Sequence, residues 1–197
     1  LIYKKQYFMK KFSFLAMMML FSIVTFAQTW NVDGVHSRLG FKVTRMTISE
    51  FQGNFKSYEA KIIEGKSGFE GGMIEVKIDT RSINTDNESR DNHLRSADFF
   101  DADKYPTITF KSSSIKKLSD KMYSAEGDMT MKGITKKIML NIKVNGTTVN
   151  ERNKKEIAGV TITGDFKRSD FGIAAEMPEA VLSDTISLYA TGEFSKG

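Results

Sequence analysis

Seven stretches of this chain alternate apolar and polar residues with a period of two, and an eighth nearly does. That period belongs to β-strands that bury one face. Leu39, Phe41 and Val43 alternate with Arg38, Lys42 and Thr44; Ile74, Val76 and Ile78 alternate with Glu75, Lys77 and Asp79. Ile108 and Phe110 follow the same rule, as do Tyr123, Ala125, Met129 and Met131, and Ile138, Leu140, Ile142 and Val144. Two more runs hold Ala158, Val160, Ile162 and Phe166, and then Ile186, Leu188 and Ala190. The eighth runs from about Gly53 to Ile63, but its apolar phase slips between Phe55 and Tyr58. Such a slip is the mark of a bulge that bends the strand.

Most connections between these runs are short and polar or contain glycine: Gly65 to Gly72, Ser119 to Lys121, Lys132 to Ile134, Asn145 to Lys155. Parallel crossovers need a dozen or more residues, so the chain is predicted to be all-β and largely antiparallel. Eight one-faced strands bury their apolar sides by closing into a barrel or by packing as two sheets. One connection is long, residues 81–105, and long connections usually carry function or their own structure. Thr85 or Asp86 can cap a short helix running through Leu94, with Glu88 in its first turn. Ser96-Ala97-Asp98 can open a further turn carrying Phe99 and Phe100, before Pro106 starts the next strand. A helical plug over one end of the sheet is the expected placement.

The N-terminal part is of another kind. From Met9 the chain reads MKKFSFLAMMMLFSIVTFAQ, with a basic start at Lys10 and Lys11, an apolar stretch from Phe12 to Phe26, and small residues before a cleavage point at Ala27. This is the pattern of a secretory signal peptide. The apolar run is about 15 residues, short of the ~20 that cross a bilayer as a helix, so a retained membrane anchor is the poorer reading. Residues 1–8 are then an upstream extension, 9–27 the leader, and 28–197 a single domain with a periplasmic or secreted address. The whole chain has 29 basic and 24 acidic residues, but Lys4, Lys5, Lys10 and Lys11 precede Gln28. Without those four the balance is 25 to 24, a net charge of +1. So even a balance argues against nucleic-acid or anionic-membrane binding. The chain has no cysteine, which removes thiolate chemistry, disulfides and a lipidated N-terminal cysteine together.

Four segments carry a resemblance. NVDGVHSRLGFKV (Asn31 to Val43), TDNESRDNHLRSADFFDADKYPTITF (Thr85 to Phe110), GDMTMKGITKKIML (Gly127 to Leu140) and FKRSDFGI (Phe166 to Ile173) occur in this order. Together they resemble the YceI-like, polyisoprenoid-binding family along essentially the whole of residues 28–197. The resemblance implies an eight-stranded, lipocalin-like antiparallel barrel. It also implies a long prenyl lipid, such as an isoprenoid quinone or polyprenyl compound, held inside for transport, storage or stress response. It implies neither a cofactor nor an enzymatic activity.

With a ligand inside, the inward positions become candidate lining: Leu39, Phe41, Val43, Phe55, Ile74, Val76, Phe99, Phe100, Phe110, Met129, Leu140, Ile142, Val160, Ile162, Phe166 and Leu188. Small inward residues (Ala125, Gly127, Ala158, Gly164, Ala190) leave space, and Met73, Met122, Met129 and Met131 are adaptable lining. Each residue fits an ordinary packed core equally well, because lining and core share composition. The candidate polar rim is His36, Arg90, Asp91, His93 and Arg168. Arg90, Asp91 and His93 are expected to tie the plug to the barrel. Arg168-Ser169-Asp170-Phe171-Gly172 reads as a turn with Gly172 at positive φ, and Arg168 is alternatively a partner for a pyrophosphate or quinone head group. Two histidines beside carboxylates raise a metal site or an acid–base pair, but neither an HxxxH nor an HExxH spacing is present, so no metal is expected. Two other functions stay open: a lipid-modifying enzyme using His36 or His93, and a ligand-free stress-response or interaction module. Outward polar faces make the barrel soluble without a partner, so a monomer and a homodimer both fit.

Overall fold

The alternating runs form strands, and the strands close. The computed structural model describes residues 27–197; the expected upstream extension and leader, up to residue 26, lie outside the described residues. The strand segments are β1 (Thr29–Val32), β2 (Arg38–Arg45), β3 (Ser49–Phe55), β4 (Tyr58–Gly65), β5 (Gly68–Asp79) and β6 (Ile83–Asn84). They continue as β7 (Thr107–Lys117), β8 (Met122–Met131), β9 (Ile134–Val149), β10 (Glu156–Lys167) and β11 (Thr185–Lys196). Three barrel strands are interrupted, each made of two segments: β1 with β2, β3 with β4, and β5 with β6. The barrel therefore has eight strands, every neighbouring pair antiparallel and, apart from the closing pair of first and last, consecutive in the chain. β11 closes it by pairing with β10 on one side and with both β1 and β2 on the other. Closure joins the last barrel strand to the first; β6 is paired on one side only, to the end of β3.

The predicted phase slip is the break between β3 and β4. Leu39 pairs with Phe55 and Asn31 with Lys61, so the residues between swing out of register on both strands. On the first strand the excursion is Asp33 to Ser37. It is held to β11, where Glu193 O accepts from the Asp33 N–H at 2.8 Å and the Glu193 N–H donates to Ser37 Oγ at 3.1 Å. Outside, Glu75 of β5 bridges Lys61 of β4 and Lys111 of β7 at 2.8 and 2.9 Å. These two ammonium groups hold its carboxyl below the usual range.

The two ends of the barrel differ. At one end Trp30, Phe69 and Tyr123 pack in sequence, tilted and then edge-on with centroids 5.5 and 6.2 Å apart, in one core with the buried Ile62, Ile115 and Ile142. This is a packed floor. At the other end lie the β2–β3 turn, the 80–106 connection, the β8–β9 turn and the 168–184 connection. The helix α1 (Glu88–Arg95) covers that end as expected, but its cap differs. Asn87 accepts from the Arg90 N–H, while Asp86 sits at φ 58° and Thr85 bonds to Asp91. A left-handed residue cannot be the extended cap that a helix start requires. The Ser96 turn forms, with the Phe99 N–H donating to Ser96 O at 3.1 Å. Gly172 takes positive φ, 64°.

Candidate functional site

Between floor and plug the barrel is hollow. A chamber of about 600 Å³ lies under the plug, and a smaller one of about 90 Å³ lies beneath it, above the floor. The hollow follows from where two aromatic rings go. A Cβ at Gly53 would overlap the Phe41 ring, and one at Gly127 would fall 2.6 Å from Phe110 Cζ. Each ring thus lies along the wall, over a glycine of the neighbouring strand, instead of reaching across the lumen. The small residues act by letting large ones fold back. Ala125 and Ala158 are fully buried in the wall and line neither chamber.

The candidate lining residues divide between the two spaces. Phe41, Val43, Phe55, Phe99, Phe100, Met129, Phe166 and Leu188 line the larger. Leu39, Phe55, Ile74, Val76, Phe110, Met129, Leu140, Val160, Ile162 and Leu188 line the smaller. Ile142 lines neither: it is 3% exposed and packed at floor level, opposite Tyr123. Of the four methionines expected to be lining, Met129 and Met131 are; Met73 is half-buried away from both spaces, and Met122 is exposed. Met122 opens β8 on its outward face, out of phase with Tyr123 and Ala125. Other lining residues had no expectation attached: Ile173, Met177, Val181 and Leu182, all from the 172–184 segment that closes over the mouth beside α1. That segment is irregular, so it carries no period to read. Ile78, Ile108 and Ile186 also line the space, and their places in the alternating runs were the signal for them.

The polar candidates have distinct tasks. Asp91 is buried, and its Oδ1 accepts from the Thr85 N–H at 2.9 Å and from the Thr85 hydroxyl at 2.5 Å. Arg90 donates from Nε to Thr85 Oγ1 (2.7 Å) and from Nη2 to Thr85 O (2.6 Å), and its guanidinium lies 4.9 Å from the Phe51 ring centre. These two do tie the plug to the wall, through one threonine. Arg95, not foreseen, adds bonds to Arg81 O and Ile83 O. His93 takes no part in that tie. It lines the larger chamber, meets Phe99 edge-on at 4.9 Å, and lies 3.7 Å from Asp98.

Arg168 corrects the head-group expectation. It borders the larger chamber, yet it is 3% exposed, and its five N–H donors go to the carbonyls of Ser183, Ile173, Ala174, Met177 and Leu182. A guanidinium has five donors, so none is left for a ligand. It is the knot that shapes the 168–184 connection. Lys132 fastens that connection to the plug, donating to Ala97 O at 2.9 Å and Gly172 O at 3.1 Å.

His36 lies on the Asp33–Ser37 excursion and borders neither chamber. Its Nδ1 is 2.8 Å from Asp33 Oδ2, and the fold brings Glu193 alongside, the three groups' ligand atoms within 4.8 Å of one another. The bond to Asp33 raises the imidazole pKa, and the same bond lowers that of the carboxyl. In the larger chamber the groups able to meet the polar end of a ligand are Arg45, Gln52, Arg90 and His93, all at the capped end.

Comparison with known proteins agrees with this architecture. The YceI-like domain model matches residues 30–194. UPF0312 protein SA2479 of Staphylococcus aureus (strain N315) is 33% identical over 167 residues, covering 83% of this chain and 95% of its own. The Campylobacter jejuni YCEI protein superposes with a TM-score of 0.71 at 36% identity, covering 76% of this chain and 87% of its own. Two more distant structures share the fold. Burkholderia cenocepacia BcnA has a TM-score of 0.74 at 20% identity, over 82% of this chain and 98% of that one. A polyisoprenoid binding domain from Saccharophagus degradans has a TM-score of 0.58 at 14% identity, over 88% of this chain and all of that one. With four family-like segments in order, a closed eight-stranded barrel and a model match over nearly all described residues, the chain belongs to the YceI-like family.

Proposed function

We propose that this protein binds one long-chain isoprenoid, a quinone or polyprenyl lipid, with its tail in the hollow barrel and its polar end near Arg45, Arg90 and His93. The observation that carries the reading is the chamber of about 600 Å³, walled by Phe, Leu, Ile, Val and Met and roofed by the plug. A space of that size and lining favours a slender apolar chain over water, at about 0.8 kcal/mol for each CH₂ removed from solvent. A few isoprene units reach roughly micromolar affinity once association costs are met. The Saccharophagus degradans neighbour, described as a polyisoprenoid binding domain, has the same barrel. Binding is favoured over catalysis because His36 lies off the lumen and His93 faces aromatic rings, with one carboxylate at 3.7 Å. The leader read in residues 9–27 supports action in the periplasm, as a carrier or store.

The direct test is organic extraction of protein purified from its native host, followed by mass spectrometry. A co-purifying prenyl lipid is expected; an extract holding no lipid overturns the reading. Export is tested by osmotic shock, which should release a chain beginning at Gln28. Retention in the cytoplasm with the leader intact overturns that part alone.

A further inference from the structure

The two chambers meet at one ring of side chains. Phe55 of β3, Ile78 of β5, Met129 of β8 and Leu188 of β11 line both the larger and the smaller space. These segments lie in four of the eight barrel strands, distributed around the circumference. The ring is therefore a collar across the lumen, with about 600 Å³ above it and about 90 Å³ below.

Three members of the collar are held. Phe55 is clasped between two rings, Phe41 at 6.0 Å and Phe100 edge-on at 6.2 Å. Ile78 is β-branched and stiff at χ1, and it is buried. Leu188 stands in register between Phe41 on one side and Gly164 on the other. Met129 differs: it is unbranched, with three rotatable bonds and a soft thioether. Its register partner on β7 is Phe110, whose ring is folded back over Gly127 on the floor side, and Met129 itself borders both spaces.

We propose that Met129 sets the length of the apolar chain the barrel encloses, by separating the larger chamber from the smaller one. The inference rests on isoprenoid binding in the lumen. At the packing density of organic solids a carbon atom occupies roughly 20–25 Å³, so the larger chamber takes about five isoprene units. The smaller chamber adds less than one. A longer tail leaves surplus carbons at the mouth, where they gain no burial. Shortening residue 129 joins the two spaces, and the added volume of the smaller chamber and the lost side chain extends the enclosed length by about one isoprene unit.

The experiment is native mass spectrometry of the lipid-free mature chain with an equimolar series of prenyl alcohols, from well below to well above the capacity of the larger chamber. Wild type is expected to favour chains of about five units, with no gain for longer ones. Met129→Ala is expected to move the favoured length up by about one unit, and Met129→Phe to leave it in place or shorten it. Met129→Val, which suits a strand better, keeps the comparison available if the alanine variant does not fold. An unchanged length distribution in both shortened variants overturns the ruler, as does a wild type with no favoured length. Binding of no prenyl alcohol at all overturns the isoprenoid reading itself, a different result from either.

Discussion

Arg168 shows how far one side chain can be committed by its surroundings. Five carbonyls of an irregular segment converge on it. Its removal leaves them without donors and frees the roof of the larger chamber. Arg168→Ala is expected to cost about 3 kcal/mol or more in urea unfolding, the scale for stripping the partner from a buried charged network. Arg168→Lys should recover only part, since an ammonium has three donors and no planar fork. His36 and Asp33 make the opposite case, an exposed pair whose effect is set by pH. The imidazole pKa is raised above 6.5, so its stabilisation is present below that value and fades as pH climbs through the folded one. The carboxyl pKa is lowered from 3.8, so its stabilisation is present above that value and fades as pH falls through the folded one. The pair thus acts most fully between about 3.8 and 6.5. The melting temperature of His36→Gln should fall slightly below wild type at pH 5 and match it at pH 9. A deficit that is the same at both values would show that the pair does not act through charge.

Two hairpin turns of this barrel solve one problem with different residues. Lys132-Gly133 joins β8 to β9 with φ of 51° and 76°, and in Met46-Thr47-Ile48, which joins β2 to β3, the first two residues have φ of 51° and 59°. Positive φ at both positions matches the right-handed twist of the strands, and Asn-Gly or a similar pair is the usual way to reach it. Thr47 is β-branched, and the left-handed region costs an ordinary L-residue about 1–2 kcal/mol. Replacing Met46-Thr47 by Asn-Gly should therefore stabilise the protein by about 1 kcal/mol, read as a higher urea midpoint at unchanged slope. The helix α1 is an eight-residue element whose hold is polar. Its apolar contributions are few, and Arg90, Asp91 and Arg95 fasten it to the 81–85 segment.

For the molecule as a whole, the decisive quantity is how much of the lumen stays empty. A barrel of eight strands is narrow enough to be filled by its own side chains or to hold one slender ligand. The choice turns on rings laid over glycines. Gly53→Ala forces the Phe41 ring away from the wall and into the larger chamber, while the strand itself is unaltered. Prenyl-lipid affinity should drop several-fold, with the far-ultraviolet circular dichroism unchanged. Equal affinity would mean that the ring finds room elsewhere. Gly127→Ala is a harsher change, because there the Cβ also meets the backbone of Lys111 and Ser112.

Period two, short polar turns and one phase slip were enough to read eight antiparallel strands, the break at Phe55 to Tyr58, and a helix between Glu88 and Leu94. These are local properties: a side chain's face follows from its parity along a strand, whatever the strand later meets. Closure by β11 onto both β1 and β2 was not legible in that way, since β1 is four residues long and its alternation is too brief to register. The site divided along the same line. Parity picked out the inward residues, so Phe41, Phe55, Met129 and Leu188 were readable as lumen-facing. Parity carries no height along the barrel axis, which is why Ile142 proved to belong to the floor, whereas Met122 is outside on the parity of its own strand. Nor does it show which donors are already spent, and Arg168 could be read as a head-group partner until five carbonyls were found around it. Sequence alone determined which residues face inward; whether that interior is packed or hollow, and where it is divided, was decided by the tertiary packing of rings against glycines on neighbouring strands.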